Sequence, residues 1–533
     1  MLTRGSVHLP VAGGWESSGH VCLPGACLGG AGAAECASMT LPSVMPGPDG
    51  ARSARTRLAH LAAGLAVTLL MTATIAAPPP ASAAGDPLAG GADAGVSAPG
   101  VSEPVVRVGL AVDATQARLA CEGEVRVWRR GSRMRGSVFG PGVAFELQPQ
   151  SAPAAGDGRS PRGSTQGARA GAIRLSIQEG ARSATRLEEG AGVPAPESPR
   201  GGRFGWRTLG SFAEELIFEP LSAGRPLHLD GKPYHGEILV RAAPRGDRLV
   251  VVNAVRMEDY LRGVVPLEMG SGASVPWSAL EAQAIAARCY ALVCLDRHED
   301  EYGCDLLAGP EDQVYGGIAA ETPETNQAVN STRGMVAVSG GRPIRANYCS
   351  TCGGRTEANH RVWGAQAPLP YLRSIRDDSF GGCLCAGSPY HRWEERWGCE
   401  ELNAIVLKHL PAEVPEARGV RLGRVRDLQV VERSPSGRAA VLRVVTEGGS
   451  FEVRGDRIRW AVRRADGGPL RSTYFDRFRR IGGKDCTIGL KGAGYGHGVG
   501  MCQFGAREMG RQGSSAAEIL HHYYHGITLV RWW

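Results

Sequence analysis

The stretch Met257–Leu292, MEDYLRGVVPLEMGSGASVPWSALEAQAIAARCYAL, constrains this chain most. It carries two helical patterns with one chemically suggestive acid between them. The first opens on Glu258 and Asp259, acids suited to a helix N-terminus, and continues through Tyr260, Leu261, Val264 and Val265 with apolar residues three and four apart. The second opens at Pro276, whose missing N–H costs nothing in a first turn. It runs through Leu280, Ala284, Ala287 and Ala291, a narrow stripe of small residues that lets another backbone come close. Glu268 falls between them, in Pro-Leu-Glu-Met-Gly. Burial among such apolar neighbours would push its carboxyl toward the protonated form, which is how a general acid is made. On spacing alone, a solvated loop glutamate is the favoured reading.

Upstream, Arg52, Arg55 and Arg57 precede an apolar run from Leu58 to Ala77, then Pro78–Pro80 and Ala81-Ser82-Ala83. A basic start, an apolar middle and a small-residue end mark a secretory signal cleaved after Ala83. A membrane anchor competes, because the run approaches the length of a span; its Ala, Thr and Gly residues weaken that alternative. Residues 1–50 have no hydrophobic period, and the start could be Met39 or Met45. No later segment is apolar enough to span a membrane, so the mature chain is expected in the periplasm or cell envelope.

The 533 residues leave room for more than one domain. A net charge of +7 is mild for that length and suits an anionic cell wall. No basic run with interleaved aromatics is present, which argues against nucleic-acid binding. Residues 84–103 read as an Ala/Gly/Pro/Ser linker. Residues 104–204 read as a small β-rich region, with alternating VVRVGLAVD and EGEVRVWRRG and a low-complexity insertion at 148–203. Short strands resume after Gly205, and the segment 400–481 combines a helix at Leu402–Leu410 with alternating strands. The fold class expected is α+β, with short strands around a helical catalytic segment.

Eleven cysteines follow Ala83, an odd number. Cys349-Ser350-Thr351-Cys352 is a C-x-x-C turn and Cys383-Leu384-Cys385 is C-x-C, about thirty residues further on. Cys349, Cys352, Cys383 and Cys385 are expected to close a structural zinc site. One or two disulfides are the alternative outside the cytoplasm.

The Met257–Leu292 stretch resembles the core motif of the stage II sporulation protein D family, also called the SpoIID/LytB or amidase-enhancer family. The matching residues are Glu258-Asp259-Tyr260-Leu261-Arg262-Gly263-Val264-Val265, Glu268-Met269, and Ala279-Leu280 with Gln283 through Tyr290. Ser350-Thr351 and Gly353-Gly354, Thr356-Glu357, Val362-Trp363-Gly364 and Pro370-Tyr371-Leu372 resemble further signatures. So does Gly494-Tyr495-Gly496-His497-Gly498-Val499-Gly500-Met501-Cys502-Gln503-Phe504-Gly505-Ala506, where Cys502 replaces a common Ser. The resemblance covers roughly residues 205–533 and implies one family domain there.

The resemblance implies a peptidoglycan lytic transglycosylase. Glu268 matches the catalytic acid, with Gln283, Arg288, Tyr290, Ser350, His497 and Gln503 on the substrate side. Such an enzyme needs one carboxyl, since the muramoyl C6 hydroxyl closes a 1,6-anhydro ring, and needs no cofactor for the chemistry. Partners implied are glycan strands and a cell-wall amidase. Some members are described as amidase enhancers without catalysis, and a zinc-stapled wall-binding module is a third reading. Some members also bind zinc through a His and two Cys. Here His298 and Cys304 keep the first spacing, but Asp312 stands before Gln313-Val314-Tyr315 where the second Cys is expected, so this weaker site is either lost or rebuilt with a carboxylate. Trp363 and Tyr371 could stack on sugars or be core aromatics.

Overall fold

A computed structural model describes residues 101–132, 136–150, 171–178, 205–364, 366–379, 381–481 and 486–533. The signal sequence, nearly all of the linker and most of the low-complexity insertion lie outside the described residues.

The fold is α+β. A seven-stranded sheet runs in the order Leu306–Leu307, Val105–Ala114, Leu249–Arg256, Glu237–Ala242, Leu216–Pro220, Val125–Arg129, Ser137–Phe139. A six-stranded sheet runs Lys232–Tyr234, Leu227–Leu229, Ala117–Cys121, Val143–Gln150, Ala172–Gln178, Trp206–Phe212. Alternation in these strands puts every second side chain into a shared core. Phe145 of the second sheet meets Phe139 and Phe218 of the first edge-on, with ring centroids 5.0 and 5.3 Å apart. Strands from both sides of residue 205 lie side by side in both sheets, so that boundary runs through the sheets and not between them.

The first sheet delivers the chain directly into the helix Met257–Met269. The next helix, Trp277–Val293, is buried continuously from Ala279 to Ala291. Its small residues form more than a stripe: the helix is apolar nearly all round and sits inside the core. Around it pack the helices Met257–Met269, Pro323–Ser331, Gln503–Arg511 and Ala516–Tyr523, and the strand Met335–Ser339. Ser515 and Glu518 form a capping box at the start of the last of these helices.

Between residues 393 and 490 a second hydrophobic core forms, around Trp397, Val406, Leu410, Leu442, Val444 and Ile458. The helix there, Cys399–Glu413, extends the expected Leu402–Leu410 at both ends, with Glu401 bonding back to its N-cap and Pro411 tolerated in its last turn. A disulfide joins Cys399 to Cys486 across 87 residues. Cross-linking so long a loop restricts the unfolded chain, so replacing both cysteines with Ser is expected to cost about 2–4 kcal/mol. Urea unfolding checks this, and an unchanged midpoint would show that the second core closes without the bond.

Candidate active site

Glu268 lies in the last turn of the Met257–Met269 helix and not on a loop. Pro266 stands inside this helix, where a proline removes one hydrogen bond. The helix runs past it and ends at Gly270, whose φ of 81° favours glycine. A Cβ at Gly270 would stand 2.8 Å from Arg507 Nη2.

One helix grips this corner from outside. Gln503, Arg507 and Arg511 recur every four residues along Gln503–Arg511 and so share a face. Gln503 Nε2 donates to Glu268 Oε2 at 3.3 Å. Arg507 Nη2 donates to the Met269 carbonyl. Arg511 Nη2 donates to the Ser274 carbonyl at 3.2 Å. On the other side, the Val314 N–H donates to Glu268 Oε1 at 3.0 Å. Burial raises the pKa of the Glu268 carboxyl, and these two hydrogen bonds, from Val314 and Gln503, hold it back only in part. Among the described residues no Arg, Lys or His pairs with Glu268.

Gln283, on the inner helix, accepts from Gln503 Nε2 at 3.4 Å, and its own Nε2 has no partner. Gln313 lies below: it accepts from Tyr260 Oη at 3.0 Å and donates to Tyr348 Oη at 2.8 Å. Burial, followed by the nearby Glu268 charge, holds both phenols neutral well past the usual tyrosine range. Tyr348, Gln313 and the Val314 amide were missed as site groups, although Gln313-Val314-Tyr315 stands in the sequence motif; a backbone N–H leaves no trace in residue identity.

Other expected substrate residues go elsewhere. Arg288 is fully buried in a two-pronged ion pair with Glu258, at 3.1 Å from Nε and 2.6 Å from Nη2. Glu258 also accepts from the Gly334 N–H and Trp533 Nε1, both at 3.0 Å. This is a structural knot with no face on Glu268. Tyr290 Oη turns toward Asp312, at 3.4 Å, and accepts from Arg297 Nη1 at 2.9 Å. His497 Nδ1 accepts from the Val499 N–H at 3.0 Å, and its ring packs 5.0 Å from Trp363. Burial lowers its pKa to about 4, so the ring is neutral at pH 7. Ser350 contributes its carbonyl, which accepts from the Phe504 N–H at 3.2 Å and so seats the helix that bears Gln503. Trp363 also lines a cavity of about 740 Å³ with His360, Arg361, Glu413 and Asp456. Tyr371 Oη accepts from the Arg345 N–H at 3.0 Å.

The glycine loop 494–500 makes the close approach its residues suggest. A Cβ on Gly500 would fall 1.9 Å from the Asn347 carbonyl, and φ is 72° there. This lets Met501–Cys502 pair in parallel with Tyr348–Cys349.

Metal-capable groups differ from the expected sets. Cys352, Cys385, Cys502 and Asp377 bring four donor atoms within 4.8 Å of one another, and Cys383, Cys385 and His391 form a second group. Cys349 belongs to neither, although it is buried and pairs directly with Cys502 across the short parallel ladder. Cys502, His391 and Asp377 take part instead. At the weaker site, Asp312 receives Arg297, the Leu307 N–H at 2.9 Å, and His298 Nε2 at 2.9 Å. Cys304 does not join them; its sulfur would lie 3.1 Å from a Cβ on Gly109. An ion-paired carboxylate thus replaces a three-ligand cluster there.

The stage II sporulation protein family matches residues 245–338, and a domain of unknown function matches residues 382–500, close to the second core. An uncharacterized protein of Brachyspira hyodysenteriae is 29% identical over 60% of this chain and 78% of its own length. The amidase enhancer of Bacillus subtilis is 26% identical over 62% of this chain and 49% of its own. Stage II sporulation protein D of Bacillus amyloliquefaciens is 28% identical over 52% of this chain and 75% of its own. With the motif around Glu268 and the glycine loop both in place, the chain carries a stage II sporulation protein (SpoIID) domain at residues 245–338 and is similar over more than half its length to proteins named amidase enhancer and stage II sporulation protein D.

Proposed function

We propose that this protein is an exported lytic transglycosylase that cuts the bond between N-acetylmuramic acid and N-acetylglucosamine in peptidoglycan, with Glu268 as its acid and base. The observation that carries this is a single carboxyl, without a cationic partner, whose pKa burial raises. Such a group keeps a proton to give to a leaving oxygen. Hydrolytic glycosidases generally use two carboxyls. The other carboxylate that acts on this tyrosine cluster, Asp312, is engaged by Arg297 and His298. One acid is enough if the substrate supplies its own nucleophile. Glu268 protonates the glycosidic oxygen; the carboxylate then takes the proton of the muramoyl C6 hydroxyl as that oxygen closes the 1,6-anhydro ring. The free donors of Gln283 and the neutral phenol of Tyr348 suit substrate oxygens beside it.

Export is supported by the basic-then-apolar leader pattern and by the Cys399–Cys486 disulfide, which fits an oxidising compartment. Among the described residues no helix is long and apolar enough to cross a membrane. The named relatives support a cell-wall setting. A cell-wall amidase as partner is suggested by the amidase enhancer alone.

Mass spectrometry of purified glycan strands, with and without stem peptides, after incubation with the full chain tests the reading. Anhydromuramoyl products are expected. The second reading, a wall-binding amidase enhancer without chemistry, predicts no products on either substrate and faster cleavage by an added amidase.

The acid also sets a pH dependence. Glu268 loses its proton as pH rises through its raised pKa, and cleavage falls with it. Because the folded state binds this proton more tightly than the unfolded chain, its stabilising effect also declines as pH rises through the interval between the ordinary and the raised value. The Gln503 amide favours the carboxylate, so Gln503→Leu is expected to move the high-pH limb of the rate profile upward. A limb that stays in place would show that Gln503 does not act on the acid.

A further inference from the structure

We propose that Cys352, Cys385, Cys502 and Asp377 hold one zinc-class divalent ion, and that this ion pins the start of the helix carrying Gln503. The four donors come from segments as far apart as residues 352 and 502, yet all four residues are buried and their ligand atoms lie within 4.8 Å of one another. Cys352 Sγ and Cys385 Sγ are 3.8 Å apart. A tetrahedral ion with metal–sulfur bonds of ~2.3 Å has an edge of roughly 3.8 Å. Three thiolates select a soft ion such as zinc over magnesium or calcium.

The surroundings already orient these ligands. The Cys352 N–H points at Cys502 Sγ, 3.2 Å away, and the Gly354 N–H at Cys352 Sγ, 3.3 Å away. Tyr523 Oη donates to Asp377 Oδ1 at 2.7 Å, which leaves Oδ2 facing Cys352 Sγ at 2.9 Å. The buried Arg438 guanidinium donates to the Cys352 carbonyl at 2.7 Å and brings positive charge beside a centre that three thiolates and a carboxylate would make negative. The competing group shares Cys385, with His391 Nδ1 at 3.5 Å and Cys383 Sγ at 3.4 Å, but it offers three donors and only Cys385 is fully buried.

Cys502 immediately precedes Gln503, the first residue of its helix. An ion on Cys502 therefore ties that helix to the Cys352 turn and the Cys383–Cys385 hairpin. The ligand set stands independently of the reaction; only the further step, that Gln503 then acts on a catalytic acid, rests on the proposed function.

The full chain, purified without chelator, is expected to contain one zinc per molecule by elemental analysis. Cys352→Ser, Cys385→Ser and Cys502→Ser should each lose it, while Cys349→Ser and His391→Ala should keep it. Retention in Cys502→Ser, loss in His391→Ala, or a disulfide among the three cysteines in peptide mapping overturns the ligand set. Because a buried Cys→Ser variant can fail to fold, cobalt is titrated into chelator-stripped wild type. Tetrahedral visible bands with a charge-transfer intensity for three thiolates are expected, and an intensity for two or four contradicts the assignment. Stripping should also speed amide exchange in Gln503–Arg511 while leaving Cys399–Glu413 unchanged; unaltered exchange in Gln503–Arg511 overturns the pinning. None of these readouts depends on glycan cleavage, so an inactive protein would leave the proposal standing.

Discussion

Glu268→Gln is expected to lower glycan-strand cleavage by roughly 10²–10⁴-fold, the usual worth of a positioned general acid and base. Glutamine keeps the size of the side chain and can still accept the Val314 N–H, so the helix end should persist. What disappears is the proton delivered to the leaving oxygen and the base that later receives one. The loss should fall on kcat with KM little changed, because the missing interaction belongs to the transition state. Thermal unfolding of the variant should match or exceed wild type at pH above the acid's raised pKa, where the wild-type side chain carries a partly buried charge. Activity within a few-fold of wild type would move the acid to another residue.

Arg288→Ala is expected to have the largest effect on stability. The ion pair with Glu258 is 0% and 1% exposed, and the same carboxylate gathers the Gly334 N–H and Trp533 Nε1. Removing the guanidinium leaves a buried carboxylate without its counter-charge, which typically costs about 3–5 kcal/mol. Arg288 Nη1 also loses its bond to the Met335 carbonyl, 3.1 Å away, which holds the strand Met335–Ser339 to the inner helix. Chemical denaturation measures the loss. The double variant Glu258→Leu/Arg288→Leu removes both charges and should recover much of it. A single Arg288→Ala variant as stable as wild type would mean that the pair is not formed in solution.

The sequence carried some of this openly. Glu268 stood out because its neighbours Pro266, Leu267 and Met269 are apolar, and burial does raise its pKa. Its place inside the helix was not legible, because the contact that secures the last turn comes from Arg507, far away in sequence. Arg288 and Glu258 were both visible in the motif, but their pairing was not: that depends on how two helices cross. The C-x-x-C and C-x-C turns pointed to a thiol cluster. Which thiols gather there depends on tertiary pairing: the parallel ladder of Tyr348–Cys349 with Met501–Cys502 brings in Cys502, about 150 residues away in sequence, and Asp377 joins from a separate loop. The second core around Trp397 and Leu442 was legible only as a helix and alternating strands, since its disulfide joins cysteines in no recognisable spacing.

The most direct test of the central claim is cleavage of glycan strands in water enriched in ¹⁸O, followed by mass spectrometry of the new ends. Closure by the muramoyl C6 hydroxyl uses no water, so the account predicts anhydromuramoyl ends, one water lighter than hydrolytic products and free of ¹⁸O. Reducing ends carrying ¹⁸O would contradict it and make the protein a hydrolase. Intact strands, whether or not they bear stem peptides, would contradict it as well and leave wall binding as the function.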